Sequence, residues 1–378
     1  MAKIYTALGL MSGTSMDGVD ASIIQTDGKS EYKAILDKYF AYPENIYNDL
    51  TTLRDKIKIS NDLKKLQKEI KSIEKDITIF HAESVEKILK KTRLNVDFIG
   101  FHGQTIFHNS KEKISKQLGD GKLLSKLTKK KVVYDFRQSD LKNEGEGAPL
   151  TPIFHKLIIE KKKIKLPVII INLGGIANYT LIWQSKELSR QNHLLSADTG
   201  PGNCLIDSWI RKKTNMPYDK KGQIAKLGNI DKEIFRKLLN AHPFKKSYDI
   251  KDFNLKLLKK LSLEDGAATL IEYTADSLIG SILDFLEDAQ WYKTINILLC
   301  GGGRKNNFLV SRIKKKTVTS KTNRPVNLID SLGIDGDFVE SQAFGYLAIR
   351  SYLGLPISFP ETTGCIKSCT GGVLTKNY

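Results

Sequence analysis

Apolar positions change their spacing along this chain, and the changes mark its elements. The runs Tyr5 to Leu8 and Val19 to Ile24 flank a polar, glycine-containing stretch, which predicts strand, tight turn and strand. Asp27-Gly28-Lys29-Ser30 predicts a second turn, and a third strand near Tyr32 to Phe40 completes a meander. Residues 44–92 read as helix. Leu63, Leu66, Ile70, Ile73, Ile77 and Phe80 recur at steps of three and four with Lys and Glu opposite, and Ser60 or Asn61 is placed to cap the start. The run is too short for a coiled coil, so this face is expected to pack on a sheet. Val96 to Gly100 predicts a buried strand that ends in the turn Phe101 to Thr105. Val132 to Phe136 predicts another, ending at Arg137.

The second half restarts the pattern. Leu166 to Leu173, the turn Gly174-Gly175 and the return Ile176 to Trp183 again read as strand, glycine turn, strand. Two halves that each open on such a hairpin imply an internal duplication. His193 to Ala197 is strand-like and leads into Asp198-Thr199-Gly200-Pro201-Gly202-Asn203 and a helix through Asp207 and Trp209. Leu263 to Ala289 is helical, with Ser262, Glu264 and Asp265 as N-terminal signals. Thr294 to Cys300 predicts a strand into Gly301-Gly302-Gly303, and a last helix is expected from Asp335 to Leu347. The Gly/Pro loop 143–150 reads as the crossing between domains. The expected division is 1–140 and 141–355, with the tail 356–378 folding back on the first domain.

Composition narrows the function classes. The 378 residues are 40% hydrophobic and 8% aromatic, enough for real cores. The net charge of +18 comes mostly from lysine, in clusters such as 129–131, 161–163 and 314–316. Aromatic residues do not interleave with these clusters, and no zinc-finger spacing, RNP-like motif or basic zipper is present. The charge therefore reads as a solvated lysine surface whose field attracts anionic small ligands such as ATP, and no nucleic-acid partner is expected. The rival, a nucleic-acid-binding protein, predicts steeply salt-dependent binding. The four cysteines include no CxxC pair and read as reduced thiols. Cys365 and Cys369 lack a neighbouring Cys or His to complete a metal set. With no signal segment and no run of eighteen apolar residues, a cytoplasmic protein without a membrane contact is expected.

The chemistry concentrates in the glycine turns. In the first, Gly13 and Gly18 permit positive φ, and backbone N–H groups with the hydroxyls of Ser12, Thr14 and Ser15 can cradle an anion. Asp17 and Asp20 would repel a phosphate unless a divalent cation lay between, so the mixture suits phosphate with Mg²⁺; an ordinary polar hairpin has the same composition. Gly28-Lys29-Ser30 is no P-loop, because Ile23 stands where its first glycine belongs. Residues 200–205 (GPGNCL) and 301–306 (GGGRKN) both fail the GxGxxG pattern, which removes support for a dinucleotide fold. Asp198 follows a strand and reads as a general base or as the cap of the next turn. His102 reads as a substrate contact or a structural hydrogen-bonder. Arg137 reads as a carboxylate fork or an ion pair, and Glu340 as a sugar contact or a helix-surface residue.

Eight segments occur together in order: GLMSGTSMDGVD at 9–20, GFHGQT at 100–105, DFR at 135–137, GAPLTPIFH at 147–155, NLGGIAN at 172–178, ADTGPGN at 197–203, CGGG at 300–303 and an acidic run around 335–340. In this the chain resembles the anhydro-N-acetylmuramic acid kinases of the sugar kinase and actin-like ATPase superfamily. The resemblance implies an α/β fold of two actin-like ATPase (ribonuclease H-like) domains, with duplicated mixed sheets flanked by helices and a cleft between domains. It implies ATP as substrate, Mg²⁺, a homodimer, and conversion of 1,6-anhydro-N-acetylmuramic acid to N-acetylmuramic acid 6-phosphate in peptidoglycan recycling. By the same resemblance Gly13, Thr14, Ser15, Met16, Asp17, Gly18, Val19, Asp20, Gly174 and Gly175 hold the ATP phosphates, and Gly301, Gly302 and Gly303 leave room for adenosine. Asp198 deprotonates water; Arg137, His102 and Glu340 contact the sugar; Asp17 approaches the metal through water. Two departures stand out. Glu144-Gly145-Glu146-Gly147 replaces the family's usual Gly-Gly-Gln-Gly. Lys246 to Phe253 lacks the family's Gly-Arg-Glu core, which puts contacts of that loop in doubt. A non-catalytic, nucleotide-binding sugar sensor on the same fold is the alternative.

Overall fold

Alternation along β1 (Tyr5–Ser12) builds the first sheet: Leu8 and Leu10 enter one core, while Gly9 between them faces the opposite side. The structure, a computed structural model, describes residues 2–184, 192–241, 248–286, 295–319 and 322–375. It divides into two compact units, Met1–Lys163 with Phe338–Tyr378, and Ile164–Asp337.

In the first unit β1, β2 (Gly18–Thr26) and β3 (Tyr32–Ala41) form the expected antiparallel meander. The Asp27 carboxylate accepts the backbone N–H groups of Lys29, Ser30 and Glu31, so the Gly-Lys-Ser turn is an Asx turn. Helices α1 (Glu44–Lys56), α2 (Ser60–Lys65) and α3 (Gln67–Leu89) follow. Ile70, Ile73 and Ile77 of α3 are buried in one core with Leu8, Leu10 and Ile23. Neither Ser60 nor Asn61 caps this run; the Asp62 carboxylate does, by accepting the N–H groups of Lys58 and Ile59. Strand β4 (Phe98–Asn109) runs parallel to β1, and β5 (Ile114–Leu118) folds back on it. The expected turn at 101–105 is therefore strand. Gly103, at φ 76°, lets the strand continue past the Leu118 carbonyl, which a Cβ would meet at 2.4 Å. Then come α4 (Gly121–Thr128), β6 (Lys131–Tyr134) parallel to β4, α5 (Gln138–Lys142) and α6 (Pro152–Lys161).

The second unit repeats the plan. Strands β7 (Val168–Leu173), β8 (Ile176–Gln184) and β9 (Asn192–Pro201) form an antiparallel meander. Helices α7 (Cys204–Lys213), α8 (Lys232–Ala241) and α9 (Leu263–Leu286) precede β10 (Asn296–Cys300), which is parallel to β7. The predicted ends at Ala289 and Thr294 lie outside the described residues. Helix α10 (Asn307–Thr317), a two-stranded β11 (Val318–Thr319) and β12 (Thr322–Asn323), and β13 (Val326–Leu328) parallel to β10 complete it. The orders β3-β2-β1-β4-β6 and β9-β8-β7-β10-β13 share the same pattern of antiparallel and parallel neighbours. This is the ribonuclease H-like plan, present twice.

The chain then returns to the first unit. Helix α11 (Val339–Tyr352) packs on β1, β2 and β4, and after α12 (Pro360–Thr363) the tail adds β14 (Val373–Leu374) antiparallel to β6. The compact units thus divide at 163 and 338 rather than at 140 and 355. The physical reason is α11. Its backbone lies so close to the sheet that a Cβ on Gly9 would meet the Ser341 carbonyl at 1.8 Å, and one on Gly100 the Phe344 carbonyl at 2.1 Å. The helix begins at Val339, not Asp335, because Asp335 and Asp337 are drawn to Arg304.

Candidate active site

In the second unit, paired positions lay a polar row across four strands: Cys300 opposite Asn172, Asn172 opposite Asn178, and Asn178 opposite Asp198. Directly paired residues share a sheet face. The register of β8 against β9 skips Thr199, so a bulge re-aims the chain next to Asp198. Asp198 therefore sits inside a strand, buried, rather than in the turn that follows. Its Oδ2 accepts the backbone N–H of Tyr248 at 2.9 Å. The Asn178 Oδ1 is buried without a hydrogen-bond donor among the described residues.

Three glycine turns converge at the end of this row. The N–H groups of Gly202 and Asn203 donate to the carbonyls of Gly175 and Gly174 at 2.9 and 2.8 Å. Gly301 lies against Asn172, and Gly303 against Asn203 and Leu173, each too close for a Cβ. Gly302 has no such neighbour; a Cβ there would meet nothing within 4 Å among the described residues. Arg304, almost wholly buried, fixes the third turn from beneath. Its guanidinium makes a bidentate pair with Asp330 (2.7 and 2.9 Å), reaches Asp335 at 3.0 Å and Asp337 at 2.5 Å, and donates to the Gly301 carbonyl at 3.2 Å.

Tyr248 belongs to the stretch that departs from the resemblance. Residues 246 and 247 lie outside the described residues. Beyond them Asp249 accepts the Lys251 N–H, and Asp252 accepts the Asp249 N–H, both at 2.9 Å. The replaced core is a self-capped 3₁₀ turn over Ile250–Asp252.

In the first unit the hairpin between β1 and β2 turns on Met16, at φ 59°; Gly13 and Gly18 do not adopt positive φ. Gly18 is required for another reason, since a Cβ would meet the Phe40 carbonyl at 2.4 Å. The Ser12 hydroxyl does not face a ligand. It is buried between Tyr42 and His81, at 2.9 and 3.0 Å. His81 Nδ1 donates to the Ile77 carbonyl, so Ser12 donates to Nε2 and Tyr42 donates to Ser12. The Met16 and Val19 side chains are core, leaving only their backbones to contact a ligand. Ser15 and Asp17 are exposed and joined by a 2.6 Å hydrogen bond; Thr14 and Asp20 are half-buried. Gln104, which sequence reasoning passed over, donates to the Gly13 carbonyl at 2.8 Å. Its Oε1 is buried with no donor among the described residues.

Arg137 and His102 form a second group. His102 Nδ1 donates to the Gly103 carbonyl at 2.8 Å, which leaves Nε2 to accept from Arg137 Nη2 at 2.9 Å. Burial, and then the guanidinium charge, hold this imidazole well below its ordinary range, so it stays neutral. Its ring rests on Phe344. His102 thus supports Arg137 from inside the protein. Glu340, half-buried, precedes Phe344 by one turn of α11 and shares its face.

The comparisons with known proteins agree over the whole chain. The family model for anhydro-N-acetylmuramic acid kinase matches residues 5–377. The chain is 50% identical over 384 residues to the anhydro-N-acetylmuramic acid kinase of Pelagibacter ubique (strain HTCC1062), covering 100% of both. It is 37% identical over 378 residues to that of Zymomonas mobilis, covering 97% of this chain and 98% of the relative. It is 34% identical over 385 residues to that of Agrobacterium fabrum, covering 100% of both. Among solved structures it is similar to an activator of the 2-hydroxyisocaproyl-CoA dehydratase from Clostridium difficile, at TM-score 0.44 and 11% identity, over 91% of this chain and 94% of that one.

Proposed function

The chain belongs to the anhydro-N-acetylmuramic acid kinase family, and from that premise we propose how its own residues carry the reaction. The substrate is 1,6-anhydro-N-acetylmuramic acid, a product of cell-wall turnover, and ATP is the phosphoryl donor. Asp198 takes a proton from water. The water oxygen bonds to the anomeric carbon, the bond from that carbon to O6 breaks, and O6 accepts the γ-phosphoryl group as ADP departs. The products are N-acetylmuramic acid 6-phosphate and ADP. Ring strain in the bicyclic sugar assists the opening. Phosphoryl transfer asks mainly for positioning and charge neutralisation.

The observation that carries this reading is the buried Asp198 carboxylate. It stands in a cross-strand row that ends at the Gly301 turn, with a backbone N–H fixing one oxygen. Gly174, Gly175 and Gly301–Gly303 border the ATP, and the Gly13–Asp20 hairpin borders its phosphates. Arg137, steadied by His102, holds the sugar's carboxylate, and Glu340 accepts from sugar hydroxyls. The residues near the first hairpin fit Mg²⁺ held through water. Asp17 offers an exposed carboxylate, and Gln104 Oε1 is a buried acceptor without a protein donor among the described residues. When bound, Mg²⁺ neutralises phosphate charge. We place the protein in the cytoplasm as a homodimer. No helix among the described residues is long and apolar enough to cross a membrane.

Mass spectrometry of the products formed in ¹⁸O water from ATP, Mg²⁺ and the anhydro sugar tests the reading. One labelled oxygen at the anomeric carbon of the phosphorylated sugar is expected, with product forming roughly a hundredfold or more slowly in Asp198→Asn. Absence of phosphorylated sugar from folded, ATP-binding wild type would overturn it in favour of the sensor alternative.

A further inference from the structure

Three residues separate Cys365 from Cys369, a spacing within the range that holds zinc, and the sequence offers no neighbour to complete the set. The fold supplies one from far away. Asp140 of α5 brings a carboxylate oxygen into a triangle with the two Sγ atoms, all within 4.8 Å of one another. Cys365 and Asp140 are buried and Cys369 is half-buried, so the cluster has an inner and an outer side.

The surroundings fix these donors as an outer shell fixes metal ligands. Asp140 Oδ1 accepts from the Thr363 hydroxyl at 2.6 Å, and Oδ2 from the Gly147 N–H at 2.7 Å. Each carboxylate oxygen has two acceptor positions, so both keep capacity for a cation. Gly145 gives the carboxylate its space; a Cβ there would lie 2.2 Å from Oδ2. The backbone joins the same two segments. The Glu146 N–H donates to the Thr363 carbonyl at 2.8 Å, and the Ile366 N–H to the Asn143 carbonyl at 3.0 Å. The Ser358 hydroxyl, itself buried, lies 3.2 Å from Cys369 Sγ.

We propose that Cys365, Cys369 and Asp140 form a binding site for a thiophilic divalent cation, Zn²⁺ by its ligand set, with water as fourth ligand. Binding releases the two thiol protons to solvent and leaves two thiolates and one carboxylate on the ion. The ion clasps the tail to α5, the helix that follows Arg137 and leads into the Glu-Gly-Glu-Gly loop that departs from the family pattern. The site is separate from the residues assigned to the kinase reaction, so it stands whether or not that assignment holds.

The test uses the full chain, reduced with a phosphine and kept under argon. After equilibration with Zn²⁺ and desalting, elemental mass spectrometry should find about one zinc per chain. Cys369→Ser, at the outer position, should lose most of it while keeping a wild-type circular dichroism spectrum. Co²⁺ in place of Zn²⁺ should give a thiolate charge-transfer band that weakens in Cys369→Ser, and Zn²⁺ should raise the melting temperature of wild type only. No retained zinc in reduced wild type, or equal zinc in Cys369→Ser, overturns the proposal. So does a Co²⁺ complex with no charge-transfer band.

Discussion

The backbone N–H of Tyr248 donates to Asp198 Oδ2 across fifty residues of sequence. It ties the proposed base to the stretch in which this chain leaves its family pattern. A backbone donor survives changes of side chain, so the loss of the Gly-Arg-Glu core need not disturb the carboxylate. The self-capped turn over Ile250–Asp252 holds Tyr248 in place by other means.

Asp198→Asn keeps an acceptor for the Tyr248 N–H and removes the base. We expect kcat to fall by about 10²–10⁴, the usual worth of a positioned general base. ATP affinity by calorimetry and the melting temperature should stay close to wild type. A variant that retained more than about a tenth of wild-type kcat would remove Asp198 from the reaction.

Gly13 and Gly302 separate ligand from fold. Neither has positive φ, and among the described residues a Cβ at either would meet no atom closer than the 3.7 Å contact of Gly13 with Ser15. The ligand-free fold therefore does not require glycine at these positions. Gly13→Ala and Gly302→Ala should leave the melting temperature unchanged and weaken ATP binding by about tenfold or more, a cost of ~1.4 kcal/mol. Unchanged ATP affinity in both variants would move the nucleotide away from these turns.

Much of this was legible in punctuation. The two glycine hairpins, the meanders and the duplication follow from short-range spacing, which turn chemistry and period-two alternation control. Long-range closure was not legible. Nothing local to 339–352 says that this helix returns to Gly9 and Gly100, because the fit is between backbones. Nor does the sequence near Ser12 show that its hydroxyl is spent on His81 and Tyr42, or the sequence near Cys365 that Asp140 lies beside it. Such pairs are decided by topology.

Gly100→Ala tests the closure of α11 on its sheet. The added methyl would overlap the Phe344 carbonyl, and helix backbone yields little. Overpacking of this kind costs about 1–3 kcal/mol or more, so urea unfolding should shift by at least that amount. The Gly13→Ala variant provides the unstrained control within the same unit.

Arg304→Lys keeps one charge but loses the fork that spans Asp330, Asp335 and Asp337. These carboxylates are partly solvated, which limits the loss of stability to roughly 1–3 kcal/mol. The Gly301 turn loses its underlying donor, so KM for ATP should rise by about tenfold while KM for the sugar changes little. Steady-state kinetics with each substrate varied in turn would reveal the split. Equal rises in both constants would point to general loosening instead.

Acid should destabilise the folded chain before its carboxylates protonate. Burial lowers His81 to about 4 and both His108 and His155 to about 3, and it takes His102 well below the ordinary imidazole range. In the unfolded chain these groups titrate near 6.5. Below that pH the unfolded state binds protons that the folded state refuses, so stability falls as pH falls. The loss continues until the pH reaches the folded values, near 4 for His81 and near 3 for His108 and His155. Each histidine contributes up to about 1.4 kcal/mol per pH unit in this window. Urea unfolding at pH 7 and pH 5 should show the decline, and His155→Phe should reduce its slope by close to one proton. A slope of zero between pH 6 and pH 5 would mean that these imidazoles protonate within the folded protein.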